Sequence, residues 1–203
     1  MSLRAIIFDV GGVLLHLPND GRQRQWEDDF ALAEGAIDHA LWATDLANQA
    51  RLGYIQADTV WPLLATHLHL TRDQMQCIQQ TYFIDEYFDP AMERLLQELR
   101  PHFQLALLTN AWSDARSTLT KKFSLSTMVD DMIISAEVGF AKPDPAIYHL
   151  TLQRLGIEPK EALFIDDKVR NTVAAQRVGI ASIVFQSSAQ VIEEIQTYRM
   201  LRA

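Results

Sequence analysis

The chain opens on an uninterrupted apolar run, Ala5-Ile6-Ile7-Phe8, followed by Asp9, Val10 and two glycines. Such a run fits a strand buried on both faces. Residues 104–109, 132–134, 162–165 and 181–185 share the pattern. Between these runs, apolar positions recur three and four apart, as in amphipathic helices. Asp89-Pro90 and Asp144-Pro145 each place a cap residue before a proline at the first helical position, and these helices run to about Arg100 and to Gly156. Further helices are expected from Ser113 or Asp114 to near Phe123, from about Asn171 to Gly179, and from about Ala189 to Arg199. Strand–helix alternation predicts an α/β, Rossmann-like core: a doubly wound parallel sheet of about five strands with right-handed crossovers.

Residues 22–87 interrupt that alternation. Trp26, Phe30 and Ala33 form one stripe at helical spacing, and Ile37, Leu41 and Leu46 with Trp42 form a second. Val60, Leu63, Leu64 and Leu68 form a third, and Met75, Ile78 and Tyr82 a fourth. Gly35, Gly53 and Thr71 punctuate the block, with Thr71 the expected N-cap of the last helix. No strand is expected in it. The pattern therefore divides the chain into an α/β core, residues 1–16 and 88–203, and a small all-helical unit, residues 17–87, inserted after the first strand. The polar stretch from His16 to Asp20 and the stretch near Phe88 are the expected hinges.

A length of 203 residues accommodates one good core with a small second unit. The formal net charge of −8 argues against non-specific nucleic-acid binding, while leaving room for a local anion site. Cys77 is the only cysteine, so no intrachain disulfide is possible; it is expected as a small buried apolar group in a reducing compartment. No apolar stretch approaches the ~18 residues of a spanning helix, and no secretory signal is expected ahead of the first strand. The expectation is a cytoplasmic protein, monomer or homodimer, with a small-molecule partner and neither nucleic acid nor membrane. No Gly-rich nucleotide loop or zinc pattern is present. His67 and His69, two apart, are poorly spaced as ligands on a helix face, and they and His102 read as surface residues.

The carboxyl ends of parallel strands share one rim of the sheet, where open α/β folds bind their ligands. Asp9, Thr109-Asn110, the loop bearing Lys142, and Asp166-Asp167 all fall there. Three carboxylates around one crevice raise one another's pKa unless a cation neutralises them. A hard cation with oxygen ligands suits that role, Mg²⁺ first, with Mn²⁺ open as the alternative. Lys142 can neutralise one charge and hold an anionic group of the substrate.

Four segments in order resemble the haloacid dehalogenase superfamily, most of whose members are phosphatases: Phe8-Asp9-Val10-Gly11-Gly12-Val13-Leu14, Leu107-Leu108-Thr109-Asn110, Gly139-Phe140-Ala141-Lys142-Pro143-Asp144-Pro145 and Phe164-Ile165-Asp166-Asp167, with Asn171 following. The helical block sits where that family places a helical cap. The resemblance implies that Asp9 attacks phosphorus to form an aspartyl-phosphate. It implies that Thr109 and the Asn110 backbone N–H bind a phosphoryl oxygen, and that Lys142 pairs with phosphate and Asp9. Around Mg²⁺ it implies Asp9, the Gly11 carbonyl and Asp167, with Asp166 holding a metal-bound water or orienting Lys142. The implied substrate is a small phosphorylated metabolite.

One position departs from the family. Gly11 stands where the phosphatases carry a second aspartate, which protonates the leaving alcohol and later activates water. Losing such a group typically costs about 10²–10⁴-fold. The chain resembles a bacterial subgroup with glycine here, some of whose members act on sugar phosphates such as glucose 1-phosphate, whose hemiacetal leaving group needs less protonation. His16 and Asp20 are candidate substitutes for the acid, though both read first as surface residues at the hinge. Two other functions stay open: a 2-haloacid dehalogenase, which displaces halide without a proton, and a binding or regulatory protein on the same scaffold. Among the aromatics of the helical block, Trp26, Trp42, Tyr54, Trp61, Tyr82 and Phe83, most are expected to pack its own core.

Overall fold

Apolar runs interleaved with helices of polar outer face fold here, in a computed structural model describing residues 3–202, into a parallel sheet covered on both sides. The strands are β1 (Ala5–Phe8), β4 (Gln104–Thr109), β5 (Asp131–Ile134), β6 (Ala162–Asp166) and β7 (Ala181–Val184). Their order is β5-β4-β1-β6-β7, every neighbouring pair parallel. The chain starts in the centre, adds β4 and β5 on one side, and then crosses to add β6 and β7 on the other. Such a reversal opens a crevice beyond the carboxyl ends of the central strands.

Alternate residues of each strand serve opposite faces. Ile6, Phe8, Leu105, Leu107, Leu163 and Ile165 pack with Met92 and Leu96 of helix α6 (Pro90–Leu99), Leu119 of α7 (Ala115–Lys121) and Val191 of α11 (Ser188–Arg202). Ile7, Leu108, Ile133 and Phe164 face the other way, onto Ile147, Tyr148 and Leu152 of α9 (Pro145–Leu155) and Ala175 of α10 (Val169–Arg177). The expected caps are present: Asp89 accepts from the N–H groups of Ala91 and Met92, and Asp144 from that of Ala146.

Five helices lie between β1 and α6: α1 (Arg22–Asp29), α2 (Ala36–Trp42), α3 (Asp45–Arg51), α4 (Ala57–His67) and α5 (Arg72–Thr81). Thr71 forms a reciprocal capping box with Gln74. The second apolar stripe proves to span two helices, because Thr44 accepts from the Ala47 N–H and starts α3. In α4 the inward set is Ala57, Val60, Trp61 and Leu64, and Leu63 is exposed. Cys77 is exposed rather than buried: on α5, Met75 and Ile78 turn inward, and the 3.6-residue period puts Cys77 on the opposite side.

Two short strands at the ends of this insertion had no counterpart in the sequence pattern. β2 (Leu15–His16) pairs antiparallel with β3 (Tyr87–Phe88), and the Asp89 N–H donates to the Leu14 carbonyl at 2.9 Å. The expected hinge stretches are thus tied together, His16 facing Tyr87 and Leu15 facing Phe88. Two residues per strand are too few for a period of two to register.

The helices pack a third apolar cluster that includes Trp26, Ile37, Leu41, Val60, Leu64 and Ile78. One member comes from the loop after β4. Trp112 stacks on Trp42 with ring centroids 5.9 Å apart and meets Trp61 edge-on at 5.6 Å. Nearby, the Ala57 N–H donates to Ser113 Oγ at 3.0 Å. Among the described residues, no helix is long and apolar enough to cross a membrane.

Candidate active site

The site is assembled where β1, β4 and β6 end. The Asp9 N–H continues the β1 ladder by donating to the Ile165 carbonyl at 2.8 Å, so the carboxylate stands one residue beyond the strand. There the chain turns: the N–H groups of Leu14 and Leu15 both reach the Val10 carbonyl, at 2.8 and 2.9 Å. Gly12 holds φ at 81°, and a Cβ on it would lie 2.8 Å from Asp167 Oδ2. Glycine is required there by both the backbone and the neighbouring carboxylate. Gly11 is different: its φ is not left-handed, and a Cβ on it meets nothing within 4 Å.

Lys142 is the hub. Its ammonium lies 2.8 Å from Asp9 Oδ1 and 2.7 Å from Asp166 Oδ2, and the residue is 4% exposed. A buried ammonium is tolerable only when paired. Its backbone is fixed by Asn110, whose side-chain amide donates to the Lys142 carbonyl and accepts from the Lys142 N–H, both at 2.8 Å. The sequence offered only the backbone N–H of Asn110 for a role; the side chain is a clamp on the lysine loop.

The two aspartates after β6 differ. Asp166 is fully buried, and Asn171 Nδ2 bonds both its oxygens, at 2.9 and 3.0 Å. The Lys168 N–H adds a bond to Oδ1 at 2.8 Å, so Asp166 is saturated with donors. Asp167 instead pairs Oδ2 with Lys168 Nζ at 2.6 Å, and its Oδ1 is buried without a hydrogen-bond partner. Buried polar atoms are normally satisfied, and an orphan oxygen marks a place for a cation or donor. Oxygens of Asp9, Asp166 and Asp167 lie within 4.8 Å of one another. Burial pushes the Asp9 carboxyl up to about 7; Lys142 opposes this, and the Asp166 charge adds to it.

These groups open into a cleft of about 910 Å³ that Thr109, Asn110, Asp167 and Asn171 also line. Its far wall is made by the helical insertion, with Trp26, Trp42, Tyr82 and Phe83 among the aromatics. Tyr82 accepts from Trp42 Nε1 at 3.1 Å and donates to Asp38 at 2.7 Å, so its hydroxyl is fixed. Tyr54 is 75% exposed and lies outside the cleft lining. His67, His69 and His102 are exposed, as expected. His16 lies 4.0 Å from Asp89, and Asp20 pairs with Arg22 at 2.7 Å, so both candidate acids are engaged by other side chains. No sequence signal pointed to Arg51 and Arg170, two more cations of the cleft wall.

The family model of haloacid dehalogenase-like hydrolases matches residues 3–179. The chain belongs to that family of hydrolases. Among curated relatives of this haloacid dehalogenase-like hydrolase, bifunctional epoxide hydrolase 2 of Sus scrofa is 25% identical, over 97% of this chain and 39% of that protein. The chain thus spans about two fifths of that relative's length. Sesquiterpene phosphatase astK of Aspergillus oryzae is 26% identical, over 96% of each chain. A predicted HAD-like family hydrolase from Porphyromonas gingivalis shares the fold at a TM-score of 0.80, with 24% identity and full coverage of both chains. A HAD family enzyme from Bacteroides thetaiotaomicron, in complex with magnesium and inorganic phosphate, aligns at a TM-score of 0.74, with 21% identity over 91% of this chain and 95% of that one.

Proposed function

We propose that this hydrolase is a Mg²⁺-dependent phosphatase of a small phosphorylated metabolite, acting through an aspartyl-phosphate on Asp9. The observation that carries the reading is the buried contact of Lys142 with both Asp9 and Asp166, beside the orphan Asp167 oxygen. A lysine so placed neutralises the nucleophile's neighbour and offers charge to a phosphoryl group. The relative named as a phosphatase over nearly its whole length supports it, as does the fold neighbour holding magnesium and phosphate.

The oxygen-only donor set fits Mg²⁺. Asp9, Asp167 and the Gly11 carbonyl would hold it, with Asp166, already given to Lys142 and Asn171, placed behind them. When bound, the ion supplies positive charge against the phosphoryl oxygens. Everything else falls to the chain. The Asp9 carboxylate bonds to phosphorus as the bond from phosphorus to the leaving oxygen breaks. Lys142, the Thr109 hydroxyl and the Asn110 N–H hold the equatorial oxygens as charge builds. Water then cleaves the acyl phosphate, releasing inorganic phosphate and restoring Asp9.

The helices of residues 17–87 act as the cap, excluding water and reading the leaving group. With glycine at position 11, the substrates served best are those whose leaving group departs with little protonation. Sugar 1-phosphates meet that condition, and a hexose 1-phosphate is the substrate class we assign. The test is hydrolysis of p-nitrophenyl phosphate with Mg²⁺ and with chelator, by wild type and Asp9→Asn. Mg²⁺-dependent release lost in the variant supports the reading. No release with any metal, together with chloride release from 2-chloropropionate, replaces it with dehalogenation; neither activity leaves a binding role.

A further inference from the structure

The cleft wall carries six cationic side chains: Arg22, Arg24, Arg51, Lys142, Lys168 and Arg170. Four have carboxylate partners. Lys142 holds Asp9 and Asp166, and Lys168 holds Asp167. Arg22 pairs with Asp20 and Asp85, and Arg24 with Asp28 and Glu34. Among the described residues, Arg51 and Arg170 have no carboxylate within salt-bridge distance. They are also each other's electrostatic neighbours, and burial and then Arg170 pull the Arg51 guanidinium below its usual value.

The placement of Arg51 is built in. Arg51 ends α3, where the chain turns at Gly53 with φ at 79°, against the core. A Cβ on Gly53 would lie 2.1 Å from the Ala136 carbonyl oxygen, so only glycine lets the end of α3 sit this close. Arg51 Nε is buried without a partner, and among the described residues the guanidinium's one protein bond is from Nη1 to the Trp42 carbonyl at 3.3 Å. Arg170 lines the same cleft from the core, as an exposed side chain on the first turn of α10, just after the Asp166-Asp167 pair. Most acidic residues of the same wall are otherwise engaged: Asp38 accepts from Tyr82 and Gln23, Glu27 from the Ile37 N–H, and Glu34 from Arg24. Glu86 also lines the cleft, but burial and the Lys122 charge dominate its surroundings, and it forms no salt bridge with either arginine. Two arginines facing one cleft, neither paired with an acid, repel each other, and a bound oxyanion removes the repulsion while filling vacant donors.

We infer that Arg51 and Arg170 form a second anion subsite, so that the preferred substrate carries, besides the phosphoryl group at Asp9, a second oxyanion on its leaving group. This rests on the phosphatase reading and narrows its substrate class. The cleft volume of about 910 Å³ has room for a sugar-sized leaving group.

The test compares glucose 1-phosphate, glucose 1,6-bisphosphate and glucuronic acid 1-phosphate, which share the scissile position and differ in the second charge. Wild type is expected to favour the doubly anionic compounds in kcat/KM by about ten- to a hundredfold, the value of a charge-assisted contact. The two arms identify a second phosphate or a carboxylate. That preference ratio falls about tenfold or more in Arg51→Gln and separately in Arg170→Gln, with Arg51→Lys retaining part of it. Two variants on different elements guard against one that misfolds. Calorimetric binding of the same three compounds to Asp9→Asn protein reads the subsite without turnover. If wild type releases no phosphate from p-nitrophenyl phosphate, the phosphatase reading has failed, and tighter binding of glucose 1,6-bisphosphate than of glucose 1-phosphate still upholds the subsite. Equal binding of all three, or a preference unaltered in both glutamine variants, overturns it.

Discussion

Gly11→Asp should create a better phosphatase for poor leaving groups. The position follows the nucleophile by two residues on the exposed side of the Asp9–Leu15 turn. A Cβ there has no heavy atom within 4 Å, and the backbone is outside the left-handed region, so the side chain enters without strain. Replacing a glycine in a compatible conformation stabilises by about 0.4–1 kcal/mol through the unfolded chain. Against this, the new carboxylate joins an acidic cluster of Asp9, Asp166 and Asp167. That raises its pKa, which is what a proton donor needs. A positioned acid is worth about 10²–10⁴-fold, or about 3–5 kcal/mol of barrier. The assay is steady-state phosphate release from glycerol 3-phosphate, whose leaving alkoxide needs a proton, against p-nitrophenyl phosphate, whose phenolate does not. The kcat ratio of the first to the second should rise about a hundredfold or more. A folded variant with an unchanged ratio would refute the idea that glycine at this position is what limits the substrate range.

Further outcomes follow from the same geometry. Lys142→Met removes the cation from between two buried carboxylates and should destabilise the metal-free protein by about 3–5 kcal/mol in urea melts, beyond abolishing turnover. Gly12→Ala places a Cβ against Asp167 at a φ of 81°; about 1–3 kcal/mol of stability should be lost, with weaker Mg²⁺ binding by calorimetry. Trp112→Ala empties the ring that joins the core loop to Trp42 and Trp61; about 3–5 kcal/mol should be lost, and hydrogen exchange should speed first in α2 and α4. In metal-free protein, folding raises the Asp9 pKa from 3.8 to about 7, so the native state keeps a proton that the unfolded chain has released. Its stabilising contribution is full below the lower value and is lost as pH rises through the upper one. The Tm of wild type minus that of Asp9→Asn should therefore fall across that window and level off above it, and a flat difference would contradict the assignment.

The core was legible because its signals are local. A buried parallel strand is an apolar run, and Asp-Pro at a helix start fixes both a cap and a φ, so β1, β4, β6 and the starts of α6 and α9 follow from a few residues each. The rim residues were legible because strand ends of a parallel sheet converge whatever lies between them. What escaped is carried by long-range partners. The β2–β3 ribbon needs both ends of the insertion to be seen together. Asn110 clamps Lys142 through its side chain only because the β4 and Lys142 loops meet. Trp112 lies in a core loop but packs in the helical cluster. Arg51 and Arg170 look like two ordinary surface arginines until the fold turns both toward one cleft. Leu63 and Cys77 show the remaining limit, since an apolar residue one step off the stripe still reads as core in a short helix.

The central claim is covalent chemistry at Asp9. Wild-type enzyme with Mg²⁺ and a phosphorylated substrate, quenched in acid within its first turnovers and analysed by peptide mass spectrometry, should carry a phosphoryl group on the peptide containing Asp9. The label should vanish on chase with unlabelled substrate and be absent from Asp9→Asn. Turnover of that substrate with no phosphoryl group ever detected at Asp9, or with undiminished rate in Asp9→Asn, would contradict the account.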